Sequence, residues 1–403
     1  MLQLVLLALL ALPSLDRADD KLDAIEIHGN TRTAQDVVIG ALGVQPGDPI
    51  DDDLLPELRQ RVLNTRLFRE VEVTKRSSES GQVLSVDVKE RWTLIPVPIL
   101  GASGGAAQVG LALFETNLFG RRKLLAATAV YSTRGQAGML FYRDPALFDS
   151  RALLAVELVA ENKIRERADG FDVVQAYRDR RIDASVRPGF RLAPRLEVRA
   201  GPFVSFRESQ AAEGYAAPPP AGNVFGIVAE LAYEGQDYRD WFNAGPAVHA
   251  IVRRSLPALG SDRSVLQSTA QATWSVSVAG NHVASATVAG YLVDGDPVLD
   301  AIALGGRPGS RGLRAEGLWT ERAVTATVDD QLPVWRPSWG TLTVLGFVDA
   351  GVSTWSGERT SWVAPGGGVR LYLRNVALPA LGFDLAYSTA GKTLAPSFFL
   401  GFQ

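Results

Sequence analysis

Cysteine is absent from all 403 residues, and histidine occurs only three times. The first absence excludes disulfides, thiolate metal sites, thiol nucleophiles and a lipidated N-terminal cysteine. The second leaves His28, His249 and His282, each on its own strand or turn with no Ser or Asp constellation and no metal-ligand spacing beside it. Asp329 and Asp330 are adjacent on a strand, so they face opposite sides and cannot act as a paired acid and base. An enzyme is therefore not expected, and neither is a cofactor. A net charge of −3 gives no electrostatic reason to expect nucleic acid as a partner.

Long apolar runs are also missing, with one exception. Leu2 to Leu12 is almost purely Leu, Ala and Val before Pro13-Ser14 interrupts it. A run of roughly 10–14 residues is too short to span a bilayer and suits the core of a signal peptide. We expect residues 1–18 to be such a leader, the alternatives being a buried helix or a misassigned start codon. A membrane-spanning helix is not expected elsewhere, but alternation rather than bulk hydropathy marks a membrane β-barrel.

What the sequence does have begins at residue 22. Ala24-Ile25-Glu26-Ile27-His28 alternates as a short strand and Gly29-Asn30 turns the chain. Thr33 is placed to cap a helix through Val37, Val38, Ile39 and Leu42, which Gly43 to Gly47 ends. Asp51-Asp52-Asp53 stands at the start of a second helix whose apolar face is Leu54, Leu55, Leu58, Val62 and Leu63. Val71 to Val73 and Val83 to Val88 alternate with period two around a polar turn at Ser77 to Gly81. The order strand, helix, helix, strand, strand suits a small α+β domain over residues 22–92.

From about Gly101 the chain reads as strands. Ile182, Val186, Phe190 and Leu192 alternate with Arg181, Asp183, Arg187 and Arg191; Val198, Val204 and Phe206 alternate with Glu197, Arg199 and Arg207. Leu266 to Val278 follows the same pattern, with Trp274 on the apolar row. An Arg facing lipid near the midplane costs ~2–4 kcal/mol, so the charged row must face a wet lumen. A large soluble sandwich or propeller would reverse this, with few charges inside. Short connections (Leu192 to Arg195, Ala279 to His282) alternate with long ones (Arg207 to Asn223, Asp294 to Glu321). The expectation is mainly β: an antiparallel transmembrane barrel of about 16 strands over 101–403, with 93–100 as a linker.

The motifs add a resemblance. Ile25-x-Ile27-x-Gly29-Asn30, Gly47-Asp48, Leu67-Phe68-x-x-Val71-x-Val73 and Val86-x-Val88-x-Glu90 resemble a POTRA domain. Such a domain is implied to take extended peptides onto a sheet edge, the alternative being a spacer that binds nothing. Gly305-Gly306-Arg307-Pro308-Gly309-Ser310-Arg311-Gly312-Leu313-Arg314 lacks the Lys-Ser/Thr ending of a phosphate cradle. It resembles instead the sixth outer loop of the BamA/TamA superfamily, which includes two-partner-secretion transporters, with Leu313 where an aromatic is usual. Phe347-Val348-Asp349-Ala350-Gly351 and Gly366-Gly367-Gly368-Val369-Arg370 match the strands that follow. Asn117-Leu118-Phe119-Gly120 and Asp144-Pro145-x-x-Phe148 fit the first two outer loops. The outward row Leu394, Pro396, Phe398, Leu400, Phe402 resembles the C-terminal signal of outer-membrane proteins, with Gln403 trailing.

An Arg in a narrow lumen requires an anionic partner. Arg311 beside Gly312 is expected to pair with Asp349, and with Asp330, to pin the loop. The resemblance implies that the first and last strands part. Gly104 and Gly105 on the first, with Pro396, Phe398 and Phe402 on the last, point to a weak seam; the alternative is that the glycines only form the linker entering the barrel. The expected site is the outer membrane with the POTRA domain in the periplasm, and the expected partners are outer-membrane lipid and unfolded or extended client polypeptides. The expected function is insertion or translocation of client proteins at the outer membrane, the alternatives being a two-partner-type secretion pore and a passive channel or surface antigen without assembly activity. The chain has room for one POTRA domain, which argues against the central assembly factor and for a specialised role.

Overall fold

The computed structural model describes residues 21–78, 81–239, 241–278, 282–373 and 379–400. The leader, the turn residues Ala279 to Asn281, Phe402 and Gln403 lie outside these. The described chain divides into two compact units, the second beginning at Trp92.

In the first unit β1 (Leu22–His28), α1 (Gln35–Leu42), a 3-10 turn (Asp52–Leu54), α2 (Leu55–Leu63), β2 (Phe68–Ser77) and β3 (Gln82–Glu90) follow the expected order. The sheet runs β1-β3-β2, with β1 parallel and β2 antiparallel to the central β3. Val38 and Leu42 of α1 and Leu58 and Val62 of α2 bury against Phe68, Leu84 and Val86. Each helix is short, so this shared apolar face, rather than helix propensity, holds it. Two local expectations shift. Ala34, not Thr33, is the N-cap of α1, without a side-chain bond; Thr33 is buried and its backbone N–H donates to Glu90 at 2.6 Å. Asp51 caps the 3-10 turn through Leu54 N at 2.8 Å.

The second unit is a closed antiparallel barrel of 16 strands. Its first half is β4 (Leu94–Ser103), β5 (Ala106–Leu118), β6 (Lys123–Ser132), β7 (Gly135–Leu147), β8 (Ala152–Asp169), β9 (Asp172–Ala193), β10 (Leu196–Ala211) and β11 (Val224–Glu234). A two-residue strand, β12 (Asp237–Tyr238), lies between β11 and β13 (Asn243–Ser255), and β14 (Leu266–Ser277) and β15 (Val283–Asp294) follow. A small hairpin of β16 (Ile302–Leu304) and β17 (Leu318–Thr320) sits within the long loop. The barrel resumes with β18 (Arg322–Trp335), β19 (Gly340–Trp355), β20 (Glu358–Leu373), β21 (Pro379–Ser388) and β22 (Thr393–Leu400), which pairs back to β4.

The two faces separate as the alternation requires. Ile182, Phe190 and Leu192 remain about half exposed, while Arg187 and Arg199 on the other face are 4% and 6% exposed. Inside, Arg187 pairs with Glu157 and Arg199 with Glu230, so the charged row neutralises itself across strands. An aliphatic exterior around a charged interior suits lipid outside and polar matter inside.

Three expectations need correction. No linker spans 93–100: the barrel begins at Leu94, and Pro96 and Pro98 are inside its first strand. Gly104 and Gly105 do not open that strand but form the two-residue turn that ends it, with φ of 50° and 81°, a left-handed pair that glycine adopts freely. The segments Asn117 to Gly120 and Asp144 to Phe148 are not outer loops. They close β5–β6 and β7–β8 at the end where β4 starts, the end opposite the long loop. Strand parity decides this, because every second turn lies at the same rim.

Candidate functional site: a folded-in loop and a seam

The connection from β15 to β18 covers residues 295–321 and turns back into the barrel. The β16–β17 hairpin brings Gly305 and Gly317 close, and Ser310 Oγ accepts the Gly305 N–H at 3.1 Å, which tightens the tip. Gly312 has φ of 81°, and a Cβ there would meet the backbone nitrogen of Ser388 at 3.1 Å. A side chain at this position would strain the backbone and lift the tip off β21.

The tip drives Arg311 inward, where it is 4% exposed. Its Nε and Nη2 donate to the two carboxylate oxygens of Asp349 at 2.9 and 2.7 Å, and its own backbone N–H donates to Asp349 at 3.0 Å. Asp349 is fully buried and also accepts from Thr327 Oγ1 at 2.9 Å. The guanidinium centre lies 3.3 Å from the Phe347 ring centroid. Such a fork-to-fork contact fixes orientation as well as charge. A third strand joins in: Arg311 Nη1 lies 3.5 Å from Asp384, which Arg370 grips at 2.6 and 2.7 Å. Two guanidinium groups and two carboxylates thus form a connected, charge-balanced set, with the inward Asp329 near enough to interact with both arginines. Removing one member of such a set strands a buried charge, at about 3–5 kcal/mol.

Asp330 is not in this set. The register pairs Thr327 with Asp349 and Asp329 with Phe347 across β18 and β19, which puts the odd-numbered β18 residues inside. Asp330 is on the outer row, its side chain 57% exposed, beside His282 at 3.0 Å near the rim. Neighbouring strand residues alternate faces, so the inward acid is Asp329.

The rest of the loop is held from the β8–β10 wall. Arg165 donates to the carbonyls of Leu299 and Ala301 at 3.0 and 2.7 Å. Arg207 also reaches the Leu299 carbonyl while bound to Asp179. Arg314 pairs with Glu166 at 2.7 Å and Lys163 with Glu316 at 3.2 Å. Trp355 and Trp362 donate their indole N–H groups to the carbonyls of Pro297 and Gly309. Between loop and wall remains a cavity of about 290 Å³, lined by Glu161, Lys163, Arg181, Arg207, Arg253 and Asp300 among others. The sequence reading gave Asp384, Arg165 and Arg207 no role in holding the loop. Inward parity marks all three as lumenal, but only the folded loop shows what they hold.

At the seam, the described register of β22 with β4 runs from Ser397↔Ser103 through Phe398↔Ala102 and Phe399↔Gly101 to Leu400↔Leu100. It stops at Ser103 on the loop side because β4 turns at Gly104. Pro396 therefore stands one residue beyond the last seam pair, on a part of β22 that pairs with β21. Phe398 faces outward, 43% exposed, and Phe399 is buried inside.

Comparison with known proteins meets this geometry from two directions. Residues 21–91 match the POTRA family, described as a surface antigen variable number repeat. A curated relative, the outer membrane protein assembly factor BamA of Neorickettsia risticii (strain Illinois), is 26% identical over 196 residues, 47% of this chain. The match spans a quarter of that relative's length. In fold, the chain is similar to BamA from Haemophilus ducreyi lacking POTRA domains 1–3, with a TM-score of 0.60 at 14% identity over 95% of this chain and 84% of that one. It is similar to CdiB from Acinetobacter baumannii at a TM-score of 0.62, 13% identity, 96% of this chain and 74% of the other. The front unit is a POTRA domain, and the barrel has the fold of the BamA and CdiB barrels. A closed barrel with this apolar girdle behind a POTRA domain is an outer-membrane protein with that domain in the periplasm.

Proposed function

We propose that this protein inserts or translocates client polypeptides at the outer membrane, the POTRA domain receiving an extended chain and the barrel handing it on at the seam between β22 and β4. The observation that carries the reading is the loop pinned in the lumen. A passive channel has no need of the specific two-pronged grip by which Asp349 holds Arg311 of this loop. With the lumen occupied by the loop and by the paired Arg and Glu rows, the free route for a client strand is lateral. The central β3 of the POTRA sheet is covered on both sides, so β1 and β2 supply the edges to which an extended peptide can add. The likeness to an outer membrane protein assembly factor supports the same reading. Lipid and client are the partners in this scheme, and no step in it calls for a catalytic residue.

The test compares the purified chain in liposomes with an Arg311→Ala variant, scoring folding and insertion of an unfolded barrel protein. Insertion faster than into empty liposomes, and lost in the variant, is expected. Insertion no faster than into empty liposomes, with steady ion conductance in its place, would replace the proposal with a secretion pore or a passive channel.

A further inference from the structure

The loop arginine does not end at its own partner. Asp384 on β21 takes Arg311 on one side and Arg370 of β20 on the other. The Arg370 guanidinium also donates to the carbonyls of Val369 and Phe383 at 2.9 and 3.3 Å, which fixes it against the wall. Its centre lies 4.9 Å from the ring centroid of Phe399, within the range of a cation–π contact. Phe399 belongs to β22, is 4% exposed, and sits in register with Gly382 on one side and Gly101 of β4 on the other.

Both contacts depend on gaps in the wall. A Cβ on Gly382 would come within 2.0 Å of the Phe399 ring, and a Cβ on Gly368 within 2.1 Å of the Asp384 carboxylate. Real Cβ contacts are never that close, so any larger residue at either position would push the ring or the carboxylate out of line. The same loop grips the other seam strand as well. Ser103 Oγ donates to the Gly306 carbonyl at 3.0 Å, and Ala315 N donates to the Gly104 carbonyl at 3.0 Å.

We propose that this loop is a strap across the seam: through Arg311, Asp384, Arg370 and Phe399 it holds β22 from inside, and through Gly306 and Ala315 it holds the outer end of β4. Arg370 and Phe399 are positioning residues, which set the closed state of the seam without touching a client. Drawing Arg311 out of its site removes the second guanidinium from Asp384. Arg370 is then left to hold the Asp384 carboxylate alone, and its place over Phe399 is less fixed, at the one register pair where β22 meets Gly101. The inference rests on the lateral reading above and adds to it what keeps the seam shut between clients.

The absence of cysteine makes the test direct. Ala102 and Phe398 are paired across the seam on the outer face, outside the strap. Ala102→Cys and Phe398→Cys in the full chain, spin-labelled and reconstituted in liposomes, report seam closure as a short inter-label distance. The short-distance population should drop by about half or more in an Arg370→Met background, as in Arg311→Met, because a closed state held by a few contacts shifts with each one lost. Arg370→Lys should recover part of it, and Arg187→Met on the opposite wall should leave it intact. Where Arg370→Met does not fold, as judged by heat-shifted electrophoretic mobility, Phe399→Leu removes only the last link and keeps every charge. It too should open the seam. Unchanged distances in Arg370→Met and Phe399→Leu, with the seam opening only in Arg311→Met or not at all, would overturn the strap. Client insertion is scored on the same samples. A seam that opens in these variants while the native chain inserts no client leaves the strap standing and removes the insertion reading.

Discussion

The loop is held on two sides by opposite means. On the β19–β21 side the loop supplies the side chain and the barrel supplies the pocket: Arg311 reaches in to Asp349, which is fully buried. On the β8–β10 side the grip is spread: Arg165 and Arg207 of the barrel bind the loop carbonyls of Leu299 and Ala301, and the side-chain pairs Arg314–Glu166 and Lys163–Glu316 add to them. The first grip reads the loop's sequence, since only a forked cation fits two carboxylate oxygens at once. The carbonyl contacts of the second read only the loop's path, since every residue has a carbonyl. A release mechanism belongs on the side where one contact decides; a scaffold belongs on the side where several share the load.

The sharpest way to break this contrast is at its most concentrated point. Asp349→Ala leaves Arg311 with Asp384 as its hydrogen-bonding carboxylate, at 3.5 Å and already committed to Arg370. Loss of a buried partner costs about 3–5 kcal/mol. The loop tip should then become the first site cut in limited proteolysis of the folded barrel, with the strands protected. Protection equal to that of the native chain would mean that the β8–β10 side alone holds the tip.

On the distributed side the expected effect on the loop tip is smaller. Arg207→Ala removes one of two donors to the Leu299 carbonyl, but Arg165 still binds it, and the main loss is the contact with Asp179, which is 1% exposed. Stranding that buried carboxylate costs about 3–5 kcal/mol, as at Asp349, but the cost falls on the wall and not on the loop. Denaturation of the barrel should shift by that amount while the tip stays protected. If the tip is released as readily as in Asp349→Ala, the two sides are not different in kind.

The same contrast explains what could be read before folding. Arg311, Gly312 and Asp349 stand in motifs, because a side chain that specifies a pocket must itself be specified. Arg165 and Arg207 carry no such mark: each is one Arg among many on an inward row, and its carbonyl target has no sequence signature. The barrel was legible because alternation over 182–192 and 196–206 places each residue on one face. Parity within a strand was not enough at Asp330, where two adjacent acids left the choice of the inward one to the register with β19. Nor could parity say at which rim Phe119 and Phe148 turn, because that depends on where the first strand begins, and Leu94 to Leu100 reads as a linker when Pro96 and Pro98 are given their usual weight.

The smallest expected effect is on pH, and it too belongs to the distributed side. Glu316 in the loop is pushed up by burial but pulled down further by Lys163 and Arg307, so its carboxyl ionises below the ordinary glutamate value of about 4.3. A carboxylate depressed in the folded state stabilises fully above the unfolded value and loses that contribution as pH falls through the folded one. The grip of Lys163 on the loop is therefore complete at neutral pH and weakens only in acid. Its loss should be slight, because the Glu316 side chain is 43% exposed and Lys163 keeps a second partner in Glu161 at 3.4 Å. Hydrogen-exchange protection across residues 313–317, taken relative to the intrinsic rate at each pH, should fall modestly in acid in the native chain. Protection should already be lowered, and flat over the same range, in Glu316→Gln. A tip that opens as widely in acid as it does in Asp349→Ala would show that this side also hangs on a single contact, and would end the distinction.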